Sequence, residues 1–228
     1  MIIGSGLLAK CLKQADRDDV VLFCSGVSNS LETEKKAFDR ELNLLKNQSS
    51  EPLLIYFSTI SIFNKAKKNS PYIRHKIAME GAVQEHFENH LILRLPNMVG
   101  EGGNATNLFP YFLQSIQLDK RVTIFRNTHR HLMSTEDLAE IVKILIEKKS
   151  RGVLDVFYSN PPAVFDLYMH MCKILAATPN YELQEGEDHF QLNNDKLMNI
   201  LNTAGFKPDS DWKKMVSNYI RLNSSQFA

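Results

Sequence analysis

Long hydrophobic runs, paired cysteines and a surplus of charge of either sign are all missing from this 228-residue chain. No apolar stretch approaches the roughly 18 residues that a bilayer-crossing helix needs. The opening MIIGSGLLAK also lacks the extended apolar core of a signal peptide, so neither membrane insertion nor secretion is expected. With 27 basic and 26 acidic side chains the formal net charge is +1, which gives no electrostatic ground for binding nucleic acid or an anionic membrane. Cys11, Cys24 and Cys172 lie too far apart for a metal knuckle and are too few for a disulfide framework. They read as reduced thiols of a cytoplasmic protein. Internal repeats and low-complexity tracts are absent as well. An apolar content of 43% with 23% charged residues fits one ordinary globular unit, or one domain with a small appendage.

What is there alternates. Val20-Val21-Leu22-Phe23, Leu53-Leu54-Ile55-Tyr56-Phe57 and Leu91-Ile92-Leu93-Arg94-Leu95 are short apolar runs of the kind buried strands show. Between them, Glu32 to Lys46 carries Phe38, Leu42 and Leu45 on one helical face, and Tyr72 to His86 reads as another helix. The stub Met1 to Ile3 leads into Gly4-Ser5-Gly6 and then into Leu7, Leu8, Cys11 and Leu12 at helical spacing. This alternation predicts a parallel α/β sheet. Beyond Gly100 the texture changes: a Gly102-Gly103-Asn104 loop precedes Phe109, Tyr111 and Phe112, which suit a small-domain core or a cover over a sugar. Ser134 and Asp137 form a capping-box pattern before a helix striped by Leu138, Ile141, Val142 and Leu145. Val153 to Tyr158 predicts a late strand, with helices after Pro161-Pro162 and through Trp212 to Ile220. The chain divides softly into 1–100 and 101–228, with no linker between.

Three groups of residues carry candidate chemistry. Gly4-Ser5-Gly6-Leu7-Leu8-Ala9 is a G-x-G-x-x-A pattern between strand and helix, where glycines let the backbone approach a pyrophosphate. The acidic ribose ligand expected about 20 positions later is replaced by Phe23-Cys24-Ser25-Gly26. Tyr72 and Lys76 stand four apart on a helix and can address one bound molecule. A neighbouring ammonium favours phenolate, which would make Tyr72 a proton shuttle. Thr59, at the end of one strand, and Asn97, just past another, complete the set, since open α/β sheets build ligand sites at strand carboxyl ends. The lysines Lys65, Lys67 and Lys68 read as a solvated loop, and His129 and His131 as surface or structural residues without a third metal ligand.

This ordered set resembles the extended short-chain dehydrogenase/reductase family of nucleotide-sugar enzymes, also called the NAD-dependent epimerase/dehydratase family, along most of the chain. The resemblance implies a Rossmann-like parallel sheet with helices on both faces and a small C-terminal substrate-binding subdomain. Residues 1–100 would bind the nucleotide cofactor, and 101–228 would add the substrate-binding part and late Rossmann elements. It implies Thr59, Tyr72 and Lys76 as catalytic residues, with Lys76 also on the nicotinamide ribose. Gly4, Gly6, Ala9, Phe23, Cys24, Ser25 and Pro96 would contact NAD or NADP, and Asn97 and Arg130 the substrate's phosphates. The implied reaction is epimerisation or 4-ketoreduction of a nucleotide-activated sugar, with hydride passing to or from nicotinamide, in surface-polysaccharide assembly.

The chain also departs from that family. Only Ala15 to Asp19 separates the first helix from the Val20 strand, where the family has two further strands and a helix. In the strand order 3-2-1-4-5-6 the missing strands form one edge of the sheet, so the sheet is expected to be truncated there. They also carry much of the adenosine pocket. If the Val20 strand lies beside the first strand, keeping the phosphate-binding helix on its usual face needs a left-handed connection. The alternative puts the Val20 strand in the second strand's place. Ile60 and Ser61 follow Thr59 where dehydratases place an acidic pair, which disfavours dehydration. With only three residues ahead of Gly4 the first strand is short, and an upstream start would lengthen it. Two functions remain: the enzyme, or a degenerate member that binds a sugar nucleotide or a protein partner without redox turnover. Either could be a homo-oligomer paired through the first strand's free edge.

Overall fold

The computed structural model describes residues 1–158, 160–186 and 192–224. Its strands are β1 (Ile2–Ile3), β2 (Val20–Phe23), β3 (Leu53–Thr59), β4 (His90–Leu95), β5 (Asn97–Val99), β6 (Val122–Phe125), β7 (Leu132–Ser134), β8 (Gly152–Asp155) and β9 (Tyr181–Gln184). Its helices are α1 (Leu7–Cys11), α2 (Lys35–Lys46), α3 (Pro71–His86), α4 (Leu108–Gln117), α5 (Thr135–Glu147), α6 (Val164–Ile174), α7 (Asp195–Thr203) and α8 (Trp212–Asn223). Five strands form one parallel sheet in the order β1-β2-β3-β4-β8. The pairs β5–β7 and β6–β9 make two small parallel sheets. No helix among the described residues is long and apolar enough to cross a membrane.

Both faces of the main sheet are covered, which is why its strands read as continuous apolar runs. Alternate side chains go to opposite layers. Val20, Leu22, Leu53, Ile55, Phe57, Leu91 and Leu93 join one core with Leu12, Ala15 and the α5 stripe Leu138, Ile141, Val142 and Leu145. Val21, Phe23, Leu54, Tyr56 and Ile92 join a second core with Leu45 of α2 and Met79 and Val83 of α3. The first core runs on without a break into Phe109 and Phe112 of α4, Leu167 and Tyr168 of α6 and Tyr219 of α8. The two aromatics Phe109 and Phe112 are therefore core, whereas Tyr111 stays 41% exposed.

These layers resolve the path of the Val20 strand. It lies directly beside β1, with Ile2 opposite Leu22 and Ile3 opposite Phe23. The connection from β1 packs its helix α1 against α5, whereas α2 and α3 pack against each other on the other face. Both sets of connections step the same way across the sheet, so the β1–β2 connection has the opposite hand to β2–β3 and β3–β4. No described strand lies beyond β1, which ends the sheet. The registers Ile3–Phe23, Phe23–Tyr56 and Thr59–Leu95 align the strand ends, so the chain leaves β1, β2, β3 and β4 along one edge.

Candidate active site

That edge opens into a cavity of about 770 Å³, a size suited to a cofactor or nucleotide-sized ligand. Gly6, Phe23, Cys24, Ser25, Thr59, Tyr72, Lys76, Pro96, Asn97 and Arg130 all line it. Gly4 and Ala9 do not. Gly4 adopts φ +121° and a Cβ there would stand 2.8 Å from the Cys24 backbone, so the glycine closes the β1 loop onto β2. Ala9 is buried within α1. At Gly6 an added Cβ would meet nothing within 4 Å, leaving open space for a ligand to approach the backbone.

Tyr72 is placed by the start of α3. Ser70 caps this helix, its Oγ accepting the Ile73 N–H at 3.2 Å, and Pro71 occupies the first turn, where its missing N–H costs nothing. Thr59 is held by the turn that ends β3: its Oγ1 accepts the Ser61 N–H at 3.1 Å, and it hydrogen-bonds the Tyr72 hydroxyl. Burial foremost, and then the charge of Glu41, push the Tyr72 phenol well above its ordinary range, with Thr59 pulling weakly the other way. The shift runs opposite to the depression expected from Lys76. Helical spacing does bring Lys76 to the same cavity, but the ammonium is engaged elsewhere.

Its partner is Glu41, which the sequence reading passed over. This fully buried carboxylate on α2 accepts the Lys76 ammonium at 3.0 Å and the Tyr56 hydroxyl at 2.7 Å on Oε1. On Oε2 it accepts the Val27 N–H at 2.6 Å and pairs with His75 Nε2 at 2.8 Å. Burial alone would raise Glu41, but Lys76 together with His75, Val27 and Tyr56 holds it down at about 2. Lys76 also donates to the Tyr56 oxygen at 3.0 Å. An ammonium has three donors, so one N–H remains for a ligand in the cavity. The loop after β2 rides on this pair: a Cβ on Gly26 would stand 2.9 Å from Lys76 Nζ and 3.1 Å from Glu41 Oε1. A carboxylate inside the apolar stripe Phe38, Leu42 and Leu45 was the signal available in the sequence.

The remaining wall is cationic. Lys10, Arg40, Lys67 and Arg130 line the cavity against a single lining carboxylate among the described residues, Glu101. Arg40 spans Ser25, donating to its Oγ and its carbonyl oxygen at 2.9 Å each. Asn97 begins β5 and donates to the His131 carbonyl at 3.3 Å; Arg130 donates to the His129 carbonyl at 2.7 Å. Burial drives the Cys24 thiol up to about 12, so it is inert at neutral pH. Tyr111, Asn104 and Asn107 also line the cavity.

The family model described as "NAD dependent epimerase/dehydratase family" matches residues 5–157. No curated protein matches the chain. Among solved structures, a UDP-N-acetylglucosamine 4-epimerase from Methanobrevibacter ruminantium, in complex with UDP-N-acetylmuramic acid, is 16% identical, covers 98% of this chain and 83% of its own, and has a TM-score of 0.72. The Thermus thermophilus UDP-glucose 4-epimerase complexed with NAD is 18% identical over 90% of this chain and 77% of that one, with a TM-score of 0.69. RMD from Pseudomonas aeruginosa, complexed with NADPH, is 15% identical over 91% and 82%, at a TM-score of 0.69. At these identities the likeness establishes the Rossmann-like α/β fold.

Proposed function

Since the chain belongs to the NAD dependent epimerase/dehydratase family, we propose that it is a nicotinamide-dependent ketoreductase acting on the sugar ring of a nucleotide-activated sugar. The observation that carries this reading is the convergence of Thr59, Tyr72 and Lys76 on one cavity with the Gly6 loop and Asn97. Gly6, Phe23, Cys24, Ser25, Pro96 and the remaining Lys76 donor would hold the nicotinamide half of NAD or NADP. When bound, that group supplies the hydride. Tyr72 gives its proton to the carbonyl oxygen as charge develops there, and Thr59 hydrogen-bonds the same oxygen. Arg130, Asn97 and the cationic wall hold the diphosphate, and Tyr111 covers the sugar. Ile60 and Ser61 provide no acid–base pair for dehydration.

Reduction is preferred over epimerisation for a structural reason. An epimerase needs the same cofactor through both half-reactions, whereas a reductase releases it every turnover. With β1 ending the sheet, the described chain offers no strand to grip the adenosine end, and a site gripping chiefly the nicotinamide half suits a cofactor that exchanges. The product would enter surface-polysaccharide assembly in the cytoplasm. The same missing edge favours a second reading, a member that binds the sugar nucleotide without redox turnover. Consumption of NADH or NADPH with a panel of nucleotide-activated keto sugars separates the two. The reductase predicts turnover that falls about 10²–10⁴-fold in Tyr72→Phe. Full turnover in that variant contradicts the assigned role, and binding without turnover supports the second reading.

A further inference from the structure

The cations of the cavity wall are spread along the strand order. Arg130 comes just before β7, which pairs with β5 directly past β4. Lys10 lies on α1, one helical turn past Gly6, whose carbonyl accepts its N–H at 3.0 Å, and Arg40 reaches from α2 to the chain leaving β2. These last two stand at the β1 end, where the sheet stops. Arg40 is exposed, yet its fork is fixed: Nη1 donates to the Ser25 Oγ and Nη2 to the Ser25 carbonyl oxygen, each at 2.9 Å. A guanidinium has five N–H donors, so three remain. The carboxylates flanking it in sequence are engaged elsewhere, Asp39 by Lys35 at 2.6 Å and Glu41 by Lys76 and His75. Ser25 in turn is pressed onto the glycine turn, since a Cβ on Gly4 would stand 3.0 Å from the Ser25 nitrogen. The guanidinium is thereby held beside the turn whose Gly6 leaves open space for a ligand.

We propose that Arg40 binds the phosphate attached to the nicotinamide ribose, giving the cofactor an anionic handle on its nicotinamide half. This deepens the nicotinamide reading and rests on it. The chemistry is that of a guanidinium fork meeting phosphate oxygens through parallel N–H donors. Its two bonds to Ser25 order the side chain before the ligand arrives, so less rotamer freedom is lost on binding. Lys10 adds a second positive charge to the same end of the cavity. The cationic wall then serves two anions. The Arg130 and Asn97 end takes the sugar nucleotide and the Arg40 end takes the cofactor, with Thr59, Tyr72 and Lys76 of β3 and α3 between them in the strand order. Ser25 gains a specific part as the anchor of the arginine. Loss of the guanidinium would thus weaken the hold on the phosphate and spare that on the nicotinamide ring.

The test compares two probes by fluorescence: reduced nicotinamide mononucleotide, and reduced nicotinamide riboside, which lacks only the phosphate. The unaltered protein should bind the mononucleotide more tightly by about tenfold or more, the worth of one charge-assisted hydrogen bond. Arg40→Gln should lose most of that preference by weakening the mononucleotide, with riboside affinity retained. Arg40→Lys, which keeps the charge without the fork, should lose a smaller part. Equal affinity for the two probes in the unaltered protein overturns the proposal even if the variants fail to fold. So does a preference that persists in full in both variants. An equal loss of both probes in Arg40→Gln also overturns it, making Arg40 a prop for Ser25 alone. Calorimetry with UDP separates the other source of phosphate. UDP should bind Arg40→Gln as it binds the unaltered protein and bind Arg130→Gln more weakly; a loss in Arg40→Gln matching that of the mononucleotide would return Arg40 to the sugar nucleotide. If neither nicotinamide probe binds, the nicotinamide reading falls and this proposal with it; if both bind alike, only the proposal falls.

Discussion

Glu41 couples stability to acidity. Folding depresses its carboxyl from an ordinary value near 4.5 to about 2, so the stabilisation it lends is complete above about pH 4.5 and is lost as the pH falls toward 2. A depression of this size corresponds to about 3 kcal/mol. Urea unfolding of the unaltered protein should therefore show a steep loss between pH 5 and about 3, and the Glu41→Gln protein a much shallower one; parallel acid limbs would exclude the pairing. Lys76→Met should be worse at neutral pH than Glu41→Gln/Lys76→Met, because it leaves the buried carboxylate without its ammonium, and removing one partner of a buried ion pair costs about 3–5 kcal/mol. Chemical denaturation of the two variants at pH 7 orders them directly. Tyr72 and Lys76 were legible in the sequence because four-residue spacing puts them on one face. Their electrostatic relation was not, since the third partner arrives from another helix, and only the packed structure brings α2 against α3.

At the scale of elements, the strands β2, β3 and β4 were legible from apolar runs bounded by turn residues, and the α5 start from Ser134, whose Oγ accepts the Asp137 N–H at 3.0 Å. The face taken by α1 was not, because periodicity announces a helix without saying on which side of a sheet it packs. The predicted strand Val153 to Tyr158 pairs only as far as Asp155; Val156, Phe157 and Tyr158 continue as buried chain. The glycine loop shows two different requirements within one motif. Gly4→Ala would force a side chain into positive φ and against the Cys24 backbone, a strain of about 1–3 kcal/mol. Gly6→Ala meets no atom and should fold normally. Thermal melts should thus fall for Gly4→Ala and hold for Gly6→Ala, while nicotinamide binding weakens in both. A normal melt for Gly4→Ala would contradict the close approach of β1 to β2.

For the whole molecule, the functional consequence lies in what ends the sheet. The strand order leaves the β2–β4 side of the cavity, where the proposal seats nicotinamide, inside the fold and its β1 end at an edge. A cofactor held chiefly by one half should lose little when the other half is removed, so reduced nicotinamide mononucleotide is expected to bind within about tenfold of the full dinucleotide, a difference under about 1.4 kcal/mol. A loss of several orders of magnitude would mean that the adenosine end is gripped after all, by another copy of the chain or by residues outside those described. The central claim, that this cavity is a working nicotinamide site, is tested most directly by a fluorescence titration with NADH and NADPH of the unaltered protein beside a folded Gly6→Asp variant. The account predicts saturable binding that Gly6→Asp abolishes with its melting temperature retained; no saturation up to millimolar cofactor, or equal binding by the variant, would contradict it.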